Sequence, residues 1–260
     1  MSASRWWRRA ATTAVAQTLA APWSLVVLGA FYSLIVAVLA GLWATAADAA
    51  GGEIVGYSSI AIFWYIAIAE AGINSLPIRL IEELGDDIGS ERLAIEMIRP
   101  ASALWVRFTM HIGASVVRLA VCAAVGTSLA LLVAGAPPSL LGLVLAIPSL
   151  LLAIVINSLA QFAFAGASFW VRDAKAAWFL YQKMVFVLGG MLLPLEVLPG
   201  SLETAAKLLP FMAMAYAPAR LAAGFVEPWL LGVQLFWVVV GVIAAHRLYA
   251  AGERQLVEAP

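Results

Sequence analysis

The stretch Trp23–Ala44, WSLVVLGAFYSLIVAVLAGLWA, runs for twenty-two residues without a charge. As a helix it measures about 33 Å at 1.5 Å per residue, enough to cross a hydrocarbon core of ~30 Å. The rest of the chain has the same character. Hydrophobic residues make up 64% of the 260 and charged residues 12%, and the mean hydropathy is +0.97. A soluble domain holds about half apolar and a quarter charged residues. One core in a chain of this size cannot bury such an excess, so lipid must cover the remainder. The sequence predicts an all-α integral membrane protein forming a single transmembrane domain over residues 1–260.

Five further apolar segments read as spans: Ile54–Leu76, Leu104–Ala134, Leu143–Val171, Ala177–Leu195 and Trp229–Tyr249. Each reaches or approaches the ~20 residues that a crossing needs. The third is longer than a crossing requires, so its start is expected in water. Residues 1–22 carry Arg5, Trp6, Trp7, Arg8 and Arg9, a headgroup-layer composition. The alanine- and threonine-rich run after Arg9 is too weakly apolar for the core of a secretion signal. An interfacial helix is expected there, broken by Pro22.

Lysine and arginine set orientation. With six spans, one side holds Arg5, Arg8, Arg9, Arg79, Arg92, Arg99, Arg107, Arg172, Lys175, Arg247 and Arg254, eleven of the fifteen. The other side holds Lys207 and Arg220, while Arg118 and Lys183 fall within spans. This bias places both termini in the cytoplasm. The formal net charge is zero, which argues against a nucleic-acid partner. A single cysteine, Cys122, forbids an internal disulfide.

Against this background LIEELGDDIGSERLAIEMIRP, Leu80–Pro100, is unusual, because it holds six of the fifteen acids. It lies in the cytoplasmic segment 77–103. Leu80–Asp87 is expected to carry the second span into water, with Gly85 and Gly89 breaking it. Ser90 caps a short helix and Pro100 stops it. Arg92, Glu96 and Arg99 share one face, and Leu93, Ala94, Met97 and Ile98 another. A loop charged only for solubility needs no such apolar face. The pattern predicts an amphipathic docking helix beneath the membrane.

Residues 196–228 form the third outer loop. Pro194, Pro199, Pro210, Pro218 and Pro228 interrupt apolar sequence there. Proline rules out one continuous span, yet the loop is too apolar to lie free. Short broken helices dipping back into the outer leaflet are expected, a geometry tolerated where protein covers the backbone.

The sequence contains no G-x-x-x-x-G-K-[ST], no nucleophile elbow and no metal-ligand cluster. It predicts a non-enzyme without a bound metal, whose driving energy comes from a partner or a gradient. Ionisable groups inside spans are costly and often functional. Glu70 lies about 9 Å from the inner end of the second span, where it could pair with Arg107 or His111. Glu70, His111, Arg118, Asn157, Gln161, Gln182 and Lys183 are candidates for a polar path; structural pairs or snorkelling side chains are the competing reading.

The layout resembles the membrane subunit of type-2 ATP-binding-cassette exporters, the ABC-2 family. Within it, the chain is similar to the permeases of about 260 residues labelled drug or viologen exporters. The resemblance rests on IGSERLAIEMIRPAS (88–102), on ASFWVRDA closing the fourth span, and on LLPLEVLPGSLETAAKLLPFMAMAYAPARLAAG (192–224). The family turn often reads Gly-Glu-Leu-Asp, where this chain has Gly89-Ser90-Glu91-Arg92. The resemblance implies a separate cytoplasmic ATPase subunit that binds ATP and Mg, and a second six-span permease chain, identical or sister. It implies ATP-driven export across the bacterial inner membrane, with a hydrophobic or cationic drug-like compound among the candidate cargoes. Ser90, Glu91, Arg92, Leu93, Glu96, Met97, Arg99 and Pro100 would then couple to the ATPase, and Pro194, Pro199, Pro210, Tyr216 and Pro218 would build an outer gate. A gradient-driven secondary transporter, with an inverted repeat and buried midplane acids, is the alternative.

Overall fold

The computed structural model describes residues 3–77, 80–89, 102–166, 169–170 and 174–258. The coupling residues Ser90–Pro100 lie outside them. Ten α-helices occur among the described residues: α1 Ala3–Leu19, α2 Pro22–Ala49, α3 Ser59–Asn74, α4 Leu80–Gly89, α5 Ala103–Val133, α6 Leu140–Gly166, α7 Ala174–Leu188, α8 Gly200–Lys207, α9 Tyr216–Ala222 and α10 Trp229–Glu258. One hairpin pairs β1, Glu53–Ile54, with β2, Tyr57–Ser58.

Four of these helices, α2, α5, α6 and α10, are long and apolar enough to cross a membrane. Helices α3 and α7 are apolar but shorter. Of the six expected spans, four correspond to helices of crossing length and two to these shorter apolar helices. The hairpin, turning on Gly51, Gly52 and Gly56 in left-handed conformations, takes Glu53–Ser58 out of the second segment. The fifth segment ends at Leu188, because Gly190 turns the chain at φ 69°. In the fourth segment the described helix reaches Gly166 and Val171 lies outside the described residues, while the last runs on to Glu258.

Helix α3 is the axis of the fold. Ala61–Gly72 are all buried, and α2, α5 and α9 pack around them. Helix α2 gives this axis a stripe of Leu28, Tyr32, Val36 and Ala40. Its opposite face, with Val27, Phe31, Leu34, Val38 and Leu42, is exposed and apolar. A contiguous apolar surface of this extent needs a bilayer or a partner against it. Tyr32 locks α2 to both neighbours. Its hydroxyl donates to the Ala67 carbonyl at 2.7 Å. The ring tip lies where a side chain on Gly126 of α5 would stand. Helix α1 lies along α5, with Ala11 against Gly113 and with Trp6 and Trp7 partly exposed.

Leu80–Asp87 does not extend the second span. Helix α3 stops at Asn74, and Pro77, which lacks an N–H, follows. Helix α4 is a separate element packed on α6 and α7. Gly85 does not break it, because burial of Ile81 and Leu84 offsets the ~1 kcal/mol cost of a helical glycine. Glu82 and Glu83 stand in its first turn, where the helix dipole favours acids.

Candidate functional site

A cavity of about 560 Å³ opens between α2 and α7. Its walls are apolar, with Phe31, Leu34 and Val38 on one side and Trp178, Val185 and Phe186 on the other. Its polar groups come from α3, α6 and α7: Glu70, Asn74, Asn157, Gln161, Tyr181 and Gln182. Two helical i, i+4 pairs build this floor. On α3, Asn74 Nδ2 donates to Glu70 Oε2 at 2.8 Å. On α6, Gln161 Nε2 donates to Asn157 Oδ1 at 3.1 Å. The Tyr181 hydroxyl of α7 donates to the same Asn157 oxygen. Glu70 is 1% exposed, and its Oε1, like Gln161 Oε1, has no hydrogen-bond partner among the described residues.

At the hairpin end of the bundle Met191 and Leu192 line the cavity. Three donors from three helices hold this segment. Trp43 Nε1 of α2 donates to the Leu192 carbonyl at 2.8 Å. The Tyr65 hydroxyl of α3 donates to the Gly190 carbonyl at 2.5 Å. The Tyr216 N–H donates to the Gly189 carbonyl at 2.9 Å.

Three of the predicted path residues, Glu70, Asn157 and Gln161, meet in this cavity, and Gln182 joins them. Three do not line it. His111 is buried on α5 with its ring edge-on to Phe162. Lys183 is exposed on α7, its ammonium 5.1 Å from the Phe179 ring centre. Arg118 donates to the carbonyls of Ser75 at 3.1 Å and Asn74 at 3.2 Å. It thereby satisfies carbonyls that the end of α3 leaves free. Nor does Glu70 pair with Arg107, whose Nη1 stands 2.7 Å from Asp87 Oδ2. Asn74 and Tyr181 escaped sequence reading, although the i+4 spacing from Glu70 marks Asn74.

The proline-rich segment forms a second polar centre at the hairpin end. Pro194 and Pro199 precede a 3₁₀ turn and α8, and Pro210 opens another 3₁₀ turn. Pro218 is buried in the first turn of α9. Proline suits these positions because early helical N–H groups have no partner to lose. The carboxylate of Glu196 is the hub. It accepts from Arg220 Nη1 at 2.9 Å, from Lys207 Nζ at 3.3 Å, and from the hydroxyls of Tyr216 and Tyr57. Arg220 also grips Glu227 with Nε and Nη2 at 2.9 and 2.8 Å, a bidentate pair. Its guanidinium carbon lies 4.2 Å from the Phe225 ring centre. Burial pushes the Glu196 carboxyl up, but the Tyr216 hydroxyl, a backbone hydrogen bond, Arg220 and Lys207 together hold it below its usual value. Burial pushes Arg220 down; Glu227, the two tyrosines and Glu196 more than reverse that.

No group of three or more metal-ligating side chains occurs among the described residues. A family model described as an ABC-2 family transporter protein matches residues 31–259.

The chain belongs to the ABC-2 family.

The match takes in every residue lining the cavity of this ABC-2 protein, and the whole Glu196 centre. No curated protein and no solved structure matches the chain. Family and apolar helices together make the ABC-2 protein a multi-pass membrane protein.

Proposed function

We propose that this ABC-2 protein is the permease subunit of an ATP-driven exporter, and that the cavity between α2 and α7 is a station on the cargo path. The observation that carries this reading is a polar floor set between two helices of crossing length, α2 and α6, and two shorter apolar ones, α3 and α7, and walled by apolar side chains. Ordinary helix packing would close that space; a binding pocket keeps it open and places a few polar groups in it. The sequence holds no phosphate-binding loop, so a cytoplasmic ATPase subunit binds ATP and Mg and supplies the energy. The chain itself carries no catalytic residue.

In this reading a second permease chain, identical or sister, covers part of the exposed apolar surface. The lysine and arginine bias supports cytoplasmic termini, and the membrane in this reading is the bacterial inner membrane. Ser90–Ile98 forms the coupling helix, with Glu91, Arg92 and Glu96 contacting the ATPase. The short helices from Pro194 to Ala222 form the re-entrant outer gate, fixed by the Glu196 centre.

A second reading, a gradient-driven transporter, draws on one observation: a buried acid, Glu70, lies in the cavity. Gentle detergent purification from the native membrane separates the two. An ATPase subunit that co-purifies, and that Glu91→Ala, Arg92→Ala and Glu96→Ala together release, supports the ATP-driven exporter. A chain recovered alone or with copies of itself moves the gradient-driven reading ahead.

A further inference from the structure

We infer that α1 is a docking surface for anionic phospholipid headgroups, which Arg8 and Arg9 receive on its exposed side. The inference goes beyond the exporter reading and holds for either energy source. Residues 1–47 contain three arginines and no acid, since the first acid is Asp48. Arg5, Arg8 and Arg9 stand at i, i+3 and i+4 of one helix, a spacing that gathers them on one face. Arg8 and Arg9 are exposed, and neither is ion-paired among the described residues. Exposed Thr12 follows on the same face, but its hydroxyl donates within the helix, to the Arg8 and Arg9 carbonyls at 3.0 Å each. Like charges at this spacing repel, and an anion set between them relieves the repulsion.

The other face of α1 is fixed. Ala14 is buried, and a Cβ on Gly113 of α5 would stand 2.7 Å from the Ala11 carbonyl oxygen and 3.3 Å from the Ala14 Cβ. So close a contact holds the arginine face in one orientation. The chain then climbs α5, with Gly29 against Val121 and Val125 and Tyr32 against Gly126. Residues before Ala11 therefore lie toward the Ala103 end of α5. Helix α5 has 31 residues. At 1.5 Å per residue it measures about 46 Å, about 16 Å more than a hydrocarbon core of ~30 Å. The ion pair of Arg107 with Asp87 marks the Ala103 end as polar. Arg8 and Arg9 thus stand at headgroup level.

At that level the anions at hand are lipid phosphates, and the partly exposed rings of Trp6 and Trp7 suit the same layer. A zwitterionic headgroup carries its own cation beside the phosphate. An anionic headgroup offers its charge uncompensated, and each arginine near such a surface strengthens attachment about fivefold. The acids of the chain do not take this place. Glu82 and Glu83 belong to α4, which packs on α6 and α7, whereas α1 packs on α5 and α2. Segment 90–100, outside the described residues, balances Glu91 and Glu96 with Arg92 and Arg99. A bound headgroup holds α1 from one side while α5 holds it from the other.

The test titrates dioleoylphosphatidylglycerol or dioleoylphosphatidylcholine, lipids that differ in headgroup alone, into the full chain and its co-purifying subunits in dodecyl maltoside. Native mass spectrometry counts the bound lipid. Wild type is expected to bind the phosphatidylglycerol about fivefold or more tightly at low salt, with the preference shrinking in about 0.5 M sodium chloride. No preference, or one that salt leaves unchanged, overturns the inference, and this comparison needs no variant. Arg8→Gln with Arg9→Gln is expected to remove most of the preference with the thermal midpoint held, because both residues are exposed. A preference that survives places the lipid elsewhere and overturns the inference. Arg247→Gln with Arg254→Gln removes the same charge from exposed positions on α10 and is expected to keep the preference. An equal loss in both pairs shows attraction to net charge rather than to α1, and also overturns it. Release of a co-purifying ATPase by Arg8→Gln with Arg9→Gln, without a lipid preference in wild type, assigns the face to a protein partner and overturns it as well. In that case the exporter reading stands while the lipid surface falls; a lipid preference without an ATPase gives the reverse.

Discussion

The guanidinium of Arg220 on α9 lies 2.9 Å from the carboxylate of Glu196, which sits in the turn before α8. Twenty-four residues separate them in the chain. The contact fastens two short helical elements that proline keeps from fusing into one. Arg220 also holds Glu227 through two nitrogens, so a single side chain ties the proline-rich segment to the approach of α10. Truncation to Ala removes the Arg220 ion pair from both Glu227 and Glu196, and leaves Glu196 with Lys207 and two tyrosine hydroxyls. Arg220→Ala is expected to cost about 2–3 kcal/mol, less than a fully buried pair would. The loss reads as a fall of about 4–12 °C in thermal midpoint. Arg220→Lys recovers little, because an ammonium cannot reproduce the two-nitrogen fork.

The pH profile follows from the same centre. The Glu196 carboxyl is held below its ordinary value of 4.5, so the folded state binds its proton less readily than the unfolded chain. The corresponding stability is present above that value and drains away as pH falls through the folded pKa. A thermal-midpoint scan from pH 7 to pH 3 is expected to fall below about pH 4.5. Glu196→Gln should start lower and show a flatter acid limb. A variant with the wild-type acid slope would remove Glu196 as its source.

Helix α5 carries a notch for the Tyr32 ring. A Cβ on Gly126 would stand 2.0 Å from the Tyr32 hydroxyl oxygen and 3.0 Å from the ring carbon that bears it. Gly126→Ala is expected to force the ring aside and break the bond to Ala67, at a cost of about 2–3 kcal/mol. Tyr32→Phe alone costs about 1 kcal/mol. Combined, the two changes are expected to cost less than their sum, because the phenylalanine removes the closest clash. A double-mutant cycle on thermal or denaturant unfolding reads the coupling.

Arg118 separates a scaffold role from a cargo role. Its two donations end α3, and it does not line the cavity. Arg118→Ala is expected to destabilise the fold by about 1–3 kcal/mol through orphaned carbonyls. In the protein that remains folded, transport by the purified complex should stay at its wild-type level. A selective loss of transport with full stability would instead put Arg118 on the path.

Some of this was legible in the sequence for a physical reason. Trp23–Ala44 announces a crossing helix because a run without charge has one environment that tolerates it. The acid at Glu70 and the amides at Asn157 and Gln161 stand out for the same reason, and helical spacing puts each pair on one face. The hairpin was not legible. Strands of two residues carry no alternation, and three glycines look like any loop. The break between α3 and α4 was equally hidden, since Arg118 helps fix it from another helix and forty-odd residues away. Apolar content also overstates span length, as the short α3 shows: a buried helix reads like a lipid-facing one.

The three donors that hold Gly189–Leu192 reach it from α2, α3 and the start of α9. A shift of any one of these helices frees one carbonyl and leaves the other two fastened. Should cargo leave at that end, the passage behaves as a lock with three tumblers rather than a hinged door. Release would demand one concerted stroke of all three helices.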